Sequence, residues 1–291
     1  MPILVRFFKR FKLKTMKSMK LNIKLRQHTL IMLLGAAMVF SCKSNTEKKE
    51  TTPTDEPVAE TTQESEEWIY LFDGTSTEGW RGYNMDSLPP GWIVKDSTLT
   101  FDTELGLEQN YTGGKDIIYA KQEFDNFELY LEWKIPAGGN SGVFYHVKEG
   151  YDGPPVVSPE YQLIDDENYE NIHDLTSYNL SLGYTEHPEQ LKPLQSTAAD
   201  YAMHPPKADK ILHPAGEWNS TKIVFTPERV EHWLNGEMVL SFVPWDEAWV
   251  EKKNSDKWKN SPDYGKYKTG FIGLQDHSSP IWFKNIKIKK L

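Results

Sequence analysis

Glu160, Gln162 and Asp165 lie within six residues of one another in Pro159-Glu-Tyr-Gln-Leu-Ile-Asp-Asp166. Two carboxyls and an amide so close together suit proton transfer and hydrogen bonding to a sugar. The stretch alternates as a strand does, so Glu160 and Gln162 share one face while Tyr161 and Leu163 fill the other. Asp165 is out of phase with that face, and a single bulge would return it. The competing reading is the solvated outer face of an antiparallel sheet.

Three further segments carry polar groups that a packed core would not favour. Gly138-Gly-Asn-Ser-Gly142 is a turn feeding Val143-Phe-Tyr-His-Val147, and period-two alternation puts His146 with Phe144 on the outward face. Gly273-Leu-Gln-Asp-His277 sets Gln275 and His277 on a common face if it continues as a strand. Ala199-Asp-Tyr201, with His204 close by, lies in a long loop. Histidine beside a carboxylate is usual equipment for proton transfer near neutral pH. His232 shares a face with Val230 and Leu234 and reads as a core residue, whereas His173, His187 and His213 read as loop residues.

These segments must be positioned by strands. Phe127 to Ile135 alternates for nine residues, with Phe127, Leu129, Leu131, Trp133 and Ile135 on one face. Trp218 to Phe225, Val230 to Leu234 and Met238 to Val243 read as strands, the last two joined by the hairpin turn Asn235-Gly236. Phe271 to Gln275 and Ile281 to Ile288 are expected to form a final pair. The helical pattern is confined to about Asp246 to Lys257. Many short antiparallel strands in one domain predict an all-β sandwich or jelly roll. Two long loops, Glu186 to Gly216 and Pro244 to Lys268, have the length of binding or lid elements. Of the ten Trp, Trp80, Trp218 and Trp282 could serve either the core or a sugar-stacking surface.

The N-terminus differs in kind. Residues 1–41 carry nine Lys or Arg and no acid, then an apolar run from Leu30 to Phe40, then Ser41-Cys42. This is the layout of a secretory signal peptide, and the run is too short to span a bilayer comfortably. Val39-Phe-Ser-Cys42 resembles a bacterial lipoprotein box, in which the cysteine is lipidated; Phe40 departs from the small residues usual there. Residues 43–67 hold almost no apolar groups and read as a flexible linker, with the folded domain running over 68–291. The whole chain has a formal charge of −9, and loss of the nine leader cations takes the remainder to about −18. So acidic a body argues against nucleic acid and against electrostatic attachment to anionic lipid. A lipid-anchored envelope protein is expected, facing the periplasm or the cell surface, with the membrane reached through Cys42 alone. Cys42 is the only cysteine, so the folded domain has no disulfide of its own and no cysteine-based metal site. No His-x-His, His-Glu-x-x-His, Ca²⁺-loop, nucleotide-binding or Gly-x-Ser-x-Gly motif is present, so no cofactor is predicted and a divalent metal has no motif behind it.

The motifs in order form a pattern. Leu71-Phe-Asp-Gly-Thr75, Gly79-Trp-Arg-Gly82, Gly139-Asn-Ser-Gly142, Pro159-Glu-Tyr-Gln162, Ala215-Gly-Glu-Trp-Asn219, Glu231-His-Trp-Leu-Asn-Gly236, Gly273-Leu-Gln-Asp-His277 and Phe283-Lys-Asn-Ile286 together resemble the 3-keto-disaccharide hydrolase family over about 68–291. The resemblance implies a concanavalin A-like (lectin/glucanase) sandwich and cleavage of glycosides oxidised to a ketone at C3. It implies acid/base roles for Glu160, Asp165, His277 and His146, and substrate binding by Asn140, Gln162, Gln275 and Arg81. Tyr201 joins the substrate-binding set from the long loop. Family members often carry Arg at the place of His146 and Asn at the place of Asp166, which sets this chain apart there. The substrate partner is an oligosaccharide or glycoside.

Two other readings share the fold. Glu160, Gln162 and Asp165 stand at the spacing of the acidic strand of laminarinase-type retaining glycosidases, with Gln and Asp replacing two of the acids. A non-catalytic carbohydrate-binding lipoprotein is the other.

Overall fold

The computed structural model describes residues 67–291 apart from Thr112. The expected signal peptide, the lipidated Cys42 and nearly all of the linker lie outside the described residues. Among the described residues no helix is long and apolar enough to cross a membrane.

Among the described residues, thirteen strands form two antiparallel sheets. The larger contains β1 (Ile69–Phe72), β3 (Trp92–Lys95), β4 (Thr98–Phe101), β6 (Phe127–Lys134), β9 (Asn219–Phe225), β10 (Val230–Leu234), β11 (Glu237–Phe242) and β13 (Ile281–Lys290). Its order is β11-β10-β9-β6-β13-β4-β3, with β1 beside the far half of β13. The smaller contains β2 (Trp80–Gly82), β5 (Ile117–Phe124), β7 (Asn140–Val147), β8 (Glu160–Ile164) and β12 (Gly270–Leu274), in the order β2-β5-β12-β7-β8. This is the all-β sandwich that the strand pattern predicts, in the concanavalin A-like jelly-roll form that the family resemblance implies.

The core lies between the sheets. β6 shows why: alternate residues Phe127, Leu129, Leu131 and Trp133 are fully buried, while Glu128, Tyr130, Glu132 and Lys134 stay half-exposed on the outer face. Burying each such side chain stabilises by about 1.5–3 kcal/mol. From the smaller sheet, Val143, Tyr145, Tyr161 and Leu163 meet this row. The Asn235-Gly236 turn forms as expected, both residues taking positive φ (49° and 85°). Trp80 is a core residue whose indole N–H bonds to the Leu71 carbonyl. Trp218 and Trp282 instead lie on the outer face of the larger sheet under the ammonium groups of Lys134 and Lys284.

The expected pairing of the last two strands does not form. β12 sits in the smaller sheet between β5 and β7, and β13 sits in the larger between β6 and β4. The Asp276–Pro280 segment carries the chain across the sandwich, which places Gln275 and His277 at an end of the smaller sheet. Helices α1 (Thr103–Glu108), α2 (Tyr169–Ile172), α3 (Thr176–Ser181) and α4 (Glu247–Ser255) decorate the rim. The predicted helix near Asp246 is α4, capped by the Asp246 carboxylate accepting from the Trp249 N–H at 2.7 Å.

Candidate active site

β7 and β8 present their outward side chains to a cavity of about 500 Å³ on the face of the smaller sheet turned away from the core. Glu160, Gln162 and Asn140 form the floor, Gln275 and His277 one wall, and Tyr201 and Lys257 another. Six residues predicted from sequence therefore converge: Glu160, Gln162, Asn140, Gln275, His277 and Tyr201. The inward-facing Tyr161 and Leu163 are core residues, so the strand alternation fixes the outward aim of Glu160 and Gln162.

Glu160 is 4% exposed, and its Oε1 has no hydrogen-bond partner among the described residues. Burial pushes its carboxyl up to about 8, the charges of Asp116 and Asp200 push in the same direction, and Lys257 opposes them. Space for the carboxyl comes from Gly142, where an added Cβ would lie 2.0 Å from Glu160 Oε1. The floor amides are linked to one another: Gln162 Nε2 donates to Asn140 Oδ1 at 3.4 Å and Asn140 Nδ2 to the Tyr169 hydroxyl at 3.1 Å. Gln275 is tied to β7 through its backbone, its N–H donating to Gly142 O and its carbonyl accepting from Ser141 Oγ. This leaves its side-chain Oε1 buried and unpartnered. Beneath the wall, Asp276 accepts from the Tyr111 hydroxyl and from the Lys115 and Ser278 N–H groups, while its own N–H bonds to Asp116. This knot fixes the turn that presents His277. Burial lowers the His277 imidazole from its usual range, although the ring stands exposed at the cavity rim.

Several lining residues were missed by sequence reasoning. Lys257 sits on the turn after α4, its ammonium 4.1 Å from the Tyr201 ring centroid and 3.1 Å from the Tyr178 hydroxyl, which shares a 2.5 Å hydrogen bond with Tyr201. The only signal for Lys257 was its place in the long Pro244–Lys268 loop. His173, expected as a loop residue, also lines the cavity and bonds through Nε2 to Gly138 O at 2.9 Å.

Three predicted site residues are elsewhere. Asp165 needs no bulge, because β8 ends at Ile164 and the carboxylate turns to the backbone. It accepts from Gly138 N–H at 2.8 Å and from the Asn168 side-chain amide at 2.9 Å, tying the Gly138 turn to the end of β8. Asp165→Ala is expected to lower stability by about 1–3 kcal/mol by leaving that buried N–H unpaired. Chemical denaturation measures this, and the pH dependence of turnover should not move. Arg81 makes a bidentate ion pair with Glu149 at 2.6 Å and donates to Met85 O, so it clamps two loops away from the cavity.

His146 is turned inward, contrary to the alternation. The register between β7 and β12 shifts between Phe271 and Gly273, and His146 takes φ of 54°. Its ring packs edge-on to Phe225 (centroids 4.4 Å apart) and bonds through Nε2 to Asp125 O. Burial lowers it to about 4, so it is a neutral core residue. His232 is a core residue as expected, bonded through Nδ1 to Ala198 O.

Among the described residues no group of three or more His, Cys, Asp and Glu comes together as a metal would require.

The model of the 3-keto-alpha-glucoside-1,2-lyase-like domain matches residues 67–289. The chain belongs to this family. A 3-keto-disaccharide hydrolase of Bacteroides thetaiotaomicron is 34% identical over 244 residues, covering 77% of this chain and 78% of its relative. A crystal structure from Parabacteroides distasonis, provisionally designated a glycosyl hydrolase, is 37% identical with a TM-score of 0.67, covering 80% of this chain and 98% of that one. A second from the same organism, with the same provisional designation, is 27% identical with a TM-score of 0.55, covering 77% and 100%. The family match over residues 67–289 takes in the cavity floor, Glu160, Gln162 and Asn140.

Proposed function

We propose that this glycoside-cleaving protein acts on glycosides already oxidised to a ketone at C3, by elimination across C1–C2 followed by hydration. One observation carries the reading: among the described residues the cavity floor holds a single buried carboxyl, Glu160, with its Oε1 unpartnered and its titration raised to about 8. A carboxylate taken out of water, with an apparent pKa near working pH, is suited to remove a carbon-bound proton. A C3 ketone makes the C2 proton acidic enough to be that proton.

In the forward step Glu160 takes the C2 proton, and the C–H electrons move toward the C3 oxygen. They return to form the C1–C2 double bond as the C1–O bond breaks, and the leaving oxygen gains a proton. Water later adds at C1 and C2 regains a proton, giving net hydrolysis. Lys257 supplies positive charge for the developing enolate. The Asn140, Gln162 and Gln275 amides match sugar hydroxyls, and rim-placed His277 handles the leaving oxygen and the incoming water. The family's 3-keto-alpha-glucoside name and the Bacteroides relative support the same substrate class. The lipid anchor at Cys42 and the envelope location belong to this proposal.

The geometry does not favour double displacement, which needs two carboxyls about 5–5.5 Å apart across the bond. Asp165 is committed to the Gly138 turn, and among the described residues the only other acid lining the cavity, Asp174, is exposed and accepts from the Thr176 N–H at 2.9 Å.

Single-turnover cleavage of a 3-keto-glucoside bearing deuterium at C2 tests the step directly. A primary isotope effect is expected, and its absence would exclude rate-determining proton removal. Lys257→Met gives a second check. Glu160 must be deprotonated to act as base, so kcat/KM should rise with pH through a limb near 8. Lys257 holds that value down, so its removal should move the limb to higher pH; a shift to lower pH would contradict the assignment.

A further inference from the structure

Two hydroxyls and an ammonium, carried on separate excursions from the sandwich, meet at one wall of the cavity. Tyr178 comes from α3, Tyr201 from the long loop after β8, and Lys257 from the turn after α4. The Lys257 ammonium donates to the Tyr178 hydroxyl at 3.1 Å, and that hydroxyl lies 2.5 Å from the hydroxyl of Tyr201. The same ammonium sits 4.1 Å from the Tyr201 ring centroid, which holds the ring in place. Two hydroxyls share one hydrogen bond, so one hydroxyl proton of the pair has no acceptor among the described residues. Donation from Lys257 polarises Tyr178 toward Tyr201, which leaves the free proton on Tyr201, the less exposed of the two.

The backbone sets that hydroxyl beside the base. Asp200 forms an antiparallel bridge with Tyr161, and the Tyr201 N–H donates to Glu160 O at 3.0 Å. Tyr201 therefore stands directly opposite Glu160. Residues so paired send their side chains to one face, with Cβ atoms about 4.5–5.5 Å apart. Both side chains line the cavity. In a 3-keto sugar C3 is bonded to C2, so a donor for the C3 oxygen has to stand next to the C2 base. Burial, Tyr178 and the Glu160 charge all push the Tyr201 phenol up, so it stays protonated and able to donate.

We propose that the Tyr201 hydroxyl is a catalytic donor to the C3 oxygen, strengthened by hydrogen bonds passed from Lys257 through Tyr178. The proposal rests on the elimination reading, with Glu160 as the C2 base. As Glu160 takes the C2 proton, the C–H electron pair moves onto the C3 oxygen, and Tyr201 stabilises that charge by a hydrogen bond. The phenol keeps its proton throughout, and the electron pair returns to expel the C1 oxygen. A donor aimed at developing charge acts more strongly in the transition state than in the ground state. Linked hydrogen bonds polarise one another, so Lys257 reaches the enolate through this chain without touching the sugar. Tyr178 is thus a positioning residue.

The test is release of the phenol from a series of aryl 3-keto-glucosides, from unsubstituted phenyl to 4-nitrophenyl. Tyr201→Phe and Tyr178→Phe each remove one oxygen and keep the ring. Tyr201→Phe should lower kcat by about 10²- to 10³-fold, the loss expected for one such donor, with KM changed little. The factor should be the same for every leaving group, because the C3 oxygen is common to the series. Tyr178→Phe should lower kcat several-fold, and should add nothing in the Tyr201→Phe background, since Tyr178 acts only through Tyr201. A loss that disappears for 4-nitrophenyl would make Tyr201 the leaving-group acid and overturn the proposal. Wild-type kcat in Tyr201→Phe, with or without a raised KM, would overturn it as well, and so would losses that multiply in the double variant. Should the wild type cleave no 3-keto-glycoside at all, the elimination reading itself fails, and the donor falls with it.

Discussion

Glu160→Gln is expected to lower kcat on a 3-keto-glycoside by about 10²- to 10⁴-fold, the range a positioned general base contributes. The amide is nearly the same size, so the floor should keep its shape and substrate affinity should change little. Stability should respond in the opposite sense. The carboxyl rises from 4.5 to about 8 on folding, so between those values the folded state binds more protons than the unfolded chain. Its contribution is fully present below pH 4.5 and is lost as pH rises through about 8. Glu160→Gln removes that loss, so the variant should be more stable than the wild type at alkaline pH while being nearly inactive. Denaturation at pH 6 and pH 9 checks this; equal stability offsets at the two pH values would mean that Glu160 is not buried in its charged form.

Gly142→Ala should be nearly as damaging without touching an ionisable group. Gly142 lies in the middle of β7 without a positive φ, so an L side chain suits its backbone. The obstacle is the carboxyl itself: the new methyl would stand 2.0 Å from Glu160 Oε1 and 2.8 Å from its carboxyl carbon. Glu160 must then swing off the floor, and a displacement of about 1 Å can cost about 10²-fold in rate. Steady-state kinetics should show the loss in kcat, with the fold intact by circular dichroism. Near-normal kcat would show that the carboxyl is not required where the structure holds it.

The sequence carried the fold wherever a strand has one wet and one dry face. β6 alternates cleanly, and β8 displays Glu160 and Gln162 by the same rule. What it could not carry was decided by partners distant in the chain. The inward turn of His146 depends on Gly270 across the ladder, where an added Cβ would strike the His146 backbone at 2.3 Å. Nothing within Val143–Val147 signals that bulge. Asp165 looked like a third member of a polar row until the Gly138 turn claimed its carboxylate. β12 and β13 lie a few residues apart yet join opposite sheets, because Phe283 and Ile288 complete the larger sheet's inner face while Ile272 and Leu274 complete the smaller one's. Lys257 and His173 reach the cavity on excursions from the sandwich, where no periodicity exists to be read.

Release of free sugar from a 3-keto-glucoside and from the same glucoside unoxidised, under one set of conditions, tests the account at its root. Glu160 as a lone buried base predicts cleavage of the ketone and none of the parent sugar. Hydrolysis of the parent at a comparable rate would contradict it and return the cavity to carboxylate-pair chemistry.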